Sequence, residues 1–126
     1  MESLRYIPPH ELSVWWEEVK PGLEIVRKRS GDWLCEDIYT AIKTGVSTLH
    51  LVPNEGFVVL TPLTSLSGKS LEITAAYSRG REHIFDYLPE MERMARAIGA
   101  KELVFSSTRN WGKFFTPKCT VYFKEV

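Results

Sequence analysis

The sequence predicts an α/β protein, a mixed and mostly antiparallel β-sheet with helices packed on it. Three observations lead there. Apolar residues follow helical spacing as far as Ile42, and two-residue alternation replaces it between Thr48 and Tyr77. Helical spacing then returns from Ile84 to Ile98, ahead of further β-rich segments. A strand–helix–strand crossover after a meander makes one strand pair parallel, which is what mixes the sheet.

The 126 residues are the size of one domain, 1–126, and a chain of that length buries roughly two-thirds of its unfolded surface without metal or disulfide staples. With 44% hydrophobic and 25% charged residues, the composition excludes disorder for the body of the chain.

Taken in order, Tyr6-Ile7-Pro8-Pro9-His10 is an extended lead-in, because each proline biases its predecessor away from helix. Leu12, Trp15, Trp16 and Val19 share one helical face beside Glu17 and Glu18. Pro21-Gly22 is expected to interrupt or kink this helix, a second portion running from Leu23 through Val26 to Arg27-Lys28-Arg29. Ser30-Gly31-Asp32 reads as a turn whose aspartate caps a second helix, with Leu34, Ile38, Ala41 and Ile42 on one side and a stop at Gly45. Residues 48–52 and 57–60 are short β-rich runs joined as a hairpin through Pro53-Asn54-Glu55-Gly56. A third strand, 71–77, follows the polar turn 65–69, and its Leu71, Ile73, Ala75 and Tyr77 alternate with Glu72, Thr74 and Ala76. Ile84, Leu88, Met91, Ala95 and Ile98 step by four, three, four and three, an amphipathic helix over 84–98 closed by Gly99. Residues 101–106 form the next strand, 107–118 an irregular stretch and 120–123 a final strand.

Sixteen basic residues balance sixteen acidic ones, so bulk charge draws the chain neither to nucleic acid nor to anionic lipid. No run approaches the ~18 apolar residues of a membrane span. The N-terminus lacks the basic flank and apolar run of a signal peptide, so a soluble, cytoplasmic protein is expected. Cys35 and Cys119 form no CxxC pair and read as buried free thiols in a reducing compartment. His10, His50 and His83 have no metal-ligand spacing, and no metal is expected. His50, set between Leu49 and Leu51, is expected to face solvent or a partner. Gly68-Lys69-Ser70 lacks the glycine that a P-loop needs five residues earlier, where Leu63 stands, and is a turn. Trp15 and Trp16 are adjacent, about 100° apart on a helix. Both pack in the core, or one projects as an interface residue.

In this order and with these lengths the elements resemble the GNAT superfamily of acyl-CoA-dependent N-acyltransferases over nearly the whole chain. In that family a strand ends in the loop Arg/Gln-x-x-Gly-x-Gly/Ala, which opens a helix and brings backbone N–H groups to the pyrophosphate of CoA. Arg79 falls at the loop's first position, Gly80 is the small second residue, and Gly99 closes the helix twenty residues on (99 − 79 = 20). Three departures accompany the match. Glu82 and Ile84 replace the signature glycines, and Pro89 either kinks the helix or marks a late start near Leu88. The family's thiolate-protonating tyrosine has no counterpart in Arg109-Asn110-Trp111-Gly112-Lys113-Phe114-Phe115, and Tyr122 lies in the last strand. Within the superfamily, Trp15-Trp16, Gly31-Asp32-Trp33 and Asn110-Trp111-Gly112 are similar to features of small GNAT-like proteins of bacteriophages and prophages, some of which travel with virion-assembly or DNA-ejection proteins.

The resemblance implies acetyl-CoA as cofactor, held by strand backbone at Ala75, Ala76 and Tyr77 and by Arg79, Gly80 and Arg81 at the pyrophosphate. Its candidate catalytic residues are Glu72, a general base toward an amine, and Tyr77, which lines an acceptor pocket or packs in the core. Two function classes follow. One is a phage- or prophage-type protein, catalytically degenerate, acting through a phage structural protein, a host protein or itself, in the cytoplasm of a bacterial host or in the virion. The other is an acetyl-CoA-dependent N-acetyltransferase of an amine. An open V-shaped cleft between the third strand and residues 101–106, lined by free backbone groups, marks the enzyme; a cleft filled by side chains marks the binding module.

Overall fold

The computed structural model describes residues 4–30, 33–52, 54–79, 83–106, 115, 124 and 125. Among these, five strands form one sheet in the order β1 (Arg5–Ile7), β2 (Thr48–Val52), β3 (Gly56–Ser65), β4 (Gly68–Ser78), β5 (Glu102–Phe105). The first three pairings are antiparallel, and β4–β5, joined by the crossover, is parallel. The expected mixed, mostly antiparallel sheet is therefore what the chain forms.

Helices cover both faces. On one side α1 (Leu12–Ser30) and α2 (Cys35–Lys43) bury Leu12, Val19, Leu23, Ile38 and Ile42 against Leu49, Leu51, Phe57, Val59 and Ala75. On the other, α3 (Leu88–Ala97) packs Met91 and Ala95 against Val52, Val58, Leu60, Leu71 and Ile73. β3 shows the two-residue logic plainly, Phe57 and Val59 pointing to the α1–α2 layer and Val58 and Leu60 to α3.

In β4 the alternation hides a change of face. The register to β3 slips between Val59 and Leu60, so that Val59 pairs with Ala75 and Leu60 with Ile73, leaving Thr74 as an extra residue. This is a β-bulge. Leu71 and Ile73 lie against α3 before it, whereas Ala75 and Tyr77 lie against α1 and α2 after it. The sequence shows one uninterrupted stripe because an apolar side chain meets a core on either face.

Several expectations are corrected. α1 runs unbroken through Pro21, although a proline there removes the hydrogen bond to the carbonyl of Glu17. Both residues are exposed, so water is at hand for that carbonyl. The start of α2 is held by Asp37, whose carboxylate accepts the Leu34 N–H at 3.2 Å; Gly31 and Asp32 lie outside the described residues. β3 and β4 extend to a two-residue connection, Leu66-Ser67, past the expected strand ends. The lead-in contributes the edge strand β1 before a 3-10 turn, Pro9–Glu11. The crossover helix begins at Leu88 and not at residue 84, which is the late start that Pro89 offered, with Pro89 in its first turn after a 3-10 turn at His83–Tyr87.

His50 is buried, 7% exposed, where a solvent- or partner-facing position was expected. β1 adds Tyr6 directly opposite it, ring centroids 5.6 Å apart, and Thr48 Oγ1 meets its Nε2 at 2.9 Å. Trp15 and Trp16 are both partly buried against the α1–α2 core. Trp16 meets the Tyr39 ring edge-on at 4.8 Å, and Trp15 lies beneath the Arg5 guanidinium. Cys119, Trp111, the irregular stretch apart from Phe115, and the final strand at 120–123 lie outside the described residues. Among the described residues no helix is long and apolar enough to cross a membrane.

Candidate functional site

The bulge and the parallel pair together shape the C-terminal end of β4. The ladder to β5 runs from Ser70↔Glu102 to Ile73↔Phe105 and stops there. Residues 75–77 remain paired to β3 on one side, Thr74 being the extra residue of the bulge, and none of residues 74–77 has a β5 partner among the described residues. The described ladder thus ends immediately beside a bulge, and bulges re-aim backbone groups out of the ladder. Ala75 is buried toward α1 and α2, and Ala76 packs toward α3, so both sides of this edge carry small residues.

Arg79 follows directly. Its N–H donates to the Glu55 carbonyl at 2.8 Å, tying the end of β4 to the β2–β3 turn. Asn54 turns the chain with a φ of 62°, a conformation asparagine tolerates. Gly56 pairs with Ser78, and a β-carbon there would run into the Tyr77 carbonyl oxygen. Tyr77 stacks on Phe57 with centroids 5.8 Å apart and an interplanar angle of 27°. The backbone of α1 reaches this ring pair at Gly22, where a β-carbon would lie 2.7 Å from Phe57 and 2.8 Å from Tyr77.

Between α1 and this end of the sheet lies a cleft of about 420 Å³, with Trp15, Gly22, Phe57, Tyr77 and Arg79 on its walls. Arg5 reaches it from β1, its guanidinium 5.0 Å from the Trp15 ring centroid. Three carboxylates, Glu17 and Glu18 of α1 and Glu55 of the turn, belong to the same lining.

Glu72 sits elsewhere. Its side chain is half-buried on the α1–α2 face and accepts the Thr74 hydroxyl at 3.1 Å. Thr74 contacts the Thr61 hydroxyl at 2.5 Å, and Thr61 that of the buried Ser47 at 2.7 Å. Each hydroxyl has one proton, so the chain has one direction, Ser47 to Thr61 to Thr74 to Glu72. Tyr77 lies five residues further along the strand from Glu72 (77 − 72 = 5), about 15 Å of backbone.

The structure therefore brings Tyr77 and Arg79 to one cleft, keeps Ala75 and Ala76 on the adjoining strand edge, and sets Glu72 apart. Gly80 and Arg81 lie outside the described residues. The end of β5 carries an aromatic cluster in which Phe85, Phe105 and Phe115 stand 5.6–5.8 Å apart, on the α3 side. The cysteine in the described residues is no nucleophile: Cys35 is buried and donates to Glu24 at 3.0 Å. Burial above all, and then that hydrogen bond, push its thiol up to about 11. Among the described residues no group of three or more His, Cys, Asp or Glu could hold a metal.

Sequence reasoning missed Gly22, Gly56, Glu55 and the pairing of Arg5 with Trp15. One signal was present: a glycine within a helical pattern marks a close approach as readily as a break.

No family model and no curated protein matches the sequence. Solved structures match its fold over nearly the full length of both chains. A ribosomal-protein-alanine N-acetyltransferase from Brucella melitensis biovar Abortus is 11% identical, with 98% of each chain covered and a TM-score of 0.66. A predicted acetyltransferase from Clostridium acetobutylicum, solved with acetyl-CoA, is 11% identical over 99% of this chain and 96% of that one, TM-score 0.66. A GNAT family acetyltransferase from Staphylococcus aureus is 11% identical over 98% and 97%, TM-score 0.64. The fold is the GNAT acyl-CoA N-acyltransferase fold.

Proposed function

We propose that this chain binds acetyl-CoA along the open edge of β4 and transfers the acetyl group to an amine, residues 1–126 acting as one domain. The observation that carries the reading is the combination of the Thr74 bulge with a β4–β5 ladder that ends at Ile73↔Phe105. An extended ligand arm bearing amides is matched by such an edge as a further strand would be. Ala75 and Ala76 leave it room, and the exposed Arg79 stands at the strand's end to meet phosphate. The N-terminus of α3 comes nine residues beyond Arg79 (88 − 79 = 9), after a 3-10 turn. Charge compensation of a pyrophosphate therefore falls to Arg79 and to Arg81 rather than to a helix dipole at the loop.

Acetyl-CoA supplies an activated thioester; the protein supplies geometry. Backbone donors of residues 74–77 orient the acyl carbonyl, and fixed donors of this kind stabilise charge that develops on its oxygen. The amine enters through the cleft beneath α1, with Tyr77 as a wall between cleft and strand edge. Glu72 is too far from that cleft to accept a proton there and serves as the anchor of the hydroxyl chain across β3 and β4.

Thiol release from acetyl-CoA in the presence of an amine panel tests the reading. Turnover is expected, and Arg79→Glu should lower kcat/KM by about ten- to a hundred-fold through lost phosphate pairing. Absence of turnover together with absence of acetyl-CoA binding would end it.

A second reading has observations of its own. Glu82 and Ile84 stand where glycines approach CoA, α3 starts late, and three phenylalanine rings cluster where β5 ends. These support a phage- or prophage-type protein without catalysis, working through a phage structural protein, a host protein or itself, in the host cytoplasm or the virion. It predicts no CoA binding at all.

A further inference from the structure

We infer that Glu72 is a positioning residue: through the Thr74 hydroxyl it holds the β4 bulge in place, and with it the backbone of residues 75–77. That those residues take an acyl-CoA arm rests on the function proposed above; that Glu72 and Thr74 set their conformation does not. Thr74 is the extra residue, sharing with Ala75 the place opposite Val59. Without an extra residue the ladder would run on in register, and every side chain from residue 75 onward would change face. Ala75 and Tyr77 would leave the α1–α2 core, and Tyr77 would lose its stack on Phe57. Core packing therefore demands one extra residue at this point. It does not say which of Ile73, Thr74 and Ala75 gives up its pairing.

Side-chain chemistry decides that. The extra residue of a bulge is left out of the ladder, and Ile73 and Ala75 have no polar side-chain atom to bond with instead. The Thr74 hydroxyl meets that of Thr61 at 2.5 Å and donates to the Glu72 carboxylate at 3.1 Å. Thr61 and Glu72 are themselves direct cross-strand partners, so the bulged residue is pinned to both members of one regular pair. The far end of the hydroxyl chain is fixed as well. Ser47 is 4% exposed, its backbone N–H donates to the Ala41 carbonyl of α2 at 3.0 Å, and its hydroxyl meets Thr61 at 2.7 Å. Three hydroxyls in a row need a terminal group that only accepts, and a carboxylate is that group. A hydrogen bond that ends on a charge is also the stronger kind. Glu72 thus acts without taking a proton from any substrate.

Amide exchange and acetyl-CoA titration on the full chain test this role. In the free chain, Thr74→Val and Glu72→Ala should each speed exchange at residues 75–77 about ten-fold, while the amides of α3 keep their protection. Each should also weaken acetyl-CoA binding about ten-fold, because the edge is no longer preorganised. Thr74→Ser keeps the hydroxyl, and Glu72→Gln keeps a carbonyl oxygen to accept it, so both should restore binding to within about two-fold. Exchange at 75–77 unchanged in Thr74→Val and Glu72→Ala overturns the positioning role, and so does a Glu72→Gln chain that behaves like Glu72→Ala. Acetyl-CoA binding that is indifferent to Thr74→Val overturns it too and leaves the transferase standing. Faster exchange at 75–77 in a chain that binds no acetyl-CoA keeps the role of Glu72 and overturns the transferase.

Discussion

At Gly22 the missing side chain sets the distance between α1 and the sheet. A β-carbon would meet ring carbons of Phe57 at 2.7 Å and Tyr77 at 2.8 Å, and neither ring can swing away without leaving the stack. Glycine to alanine inside a helix usually gains about 1 kcal/mol. Overpacking reverses the sign here, so Gly22→Ala is expected to lower stability in urea by about 1–3 kcal/mol. A stabilised variant would show that the cleft floor is not packed as described. His50 adds a pH dependence. Burial holds its imidazole below the ordinary 6.5, with the Glu90 carboxylate opposing only in part. The unfolded chain takes up a proton as pH falls through 6.5 while the folded chain does not, so this contribution is whole above 6.5 and is lost below it. His50→Leu should flatten the acid limb of Tm between pH 7.5 and 5. That Tyr77 and Arg79 sit at the end of a strand was legible in the sequence, because an alternating run gives way there to a polar loop. Gly22 was not, because close approach between elements distant in sequence leaves only an ambiguous local mark.

At the scale of elements, local chemistry explains the starts and stops better than the continuities. The Asp37 carboxylate satisfies the Leu34 N–H at the head of α2, and Asp37→Ala should cost about 1 kcal/mol in thermal or urea unfolding. An unchanged stability would mean that water replaces the cap fully. The late start of α3 was legible from Pro89, since proline belongs in a first helical turn. The unbroken passage of α1 through Pro21 was not, because tertiary packing at Gly22 and Leu23 outweighs one lost hydrogen bond. The bulge at Thr74 left no trace either. A sheet covered on both faces accepts an apolar side chain on each, so the change of face preserves the alternation that sequence reasoning relies on.

For the whole molecule, the succession of helical and alternating segments was enough to reach a mixed sheet between helical layers, because crossover handedness and connection lengths leave few other arrangements. The site was less legible. Its walls come from α1, the β2–β3 turn and the end of β4, which meet only in the folded chain. The edge of β4 beyond the bulge is proposed to take an extended acyl-CoA arm, and mapping acetyl-CoA onto the backbone amides puts that proposal to the test. Saturable shifts concentrated on residues 74–79 and 102–105, weakened about ten-fold by Arg79→Glu, are the predicted result. Amides that stay in place at about 1 mM acetyl-CoA, in a chain whose spectrum is otherwise folded, would contradict it.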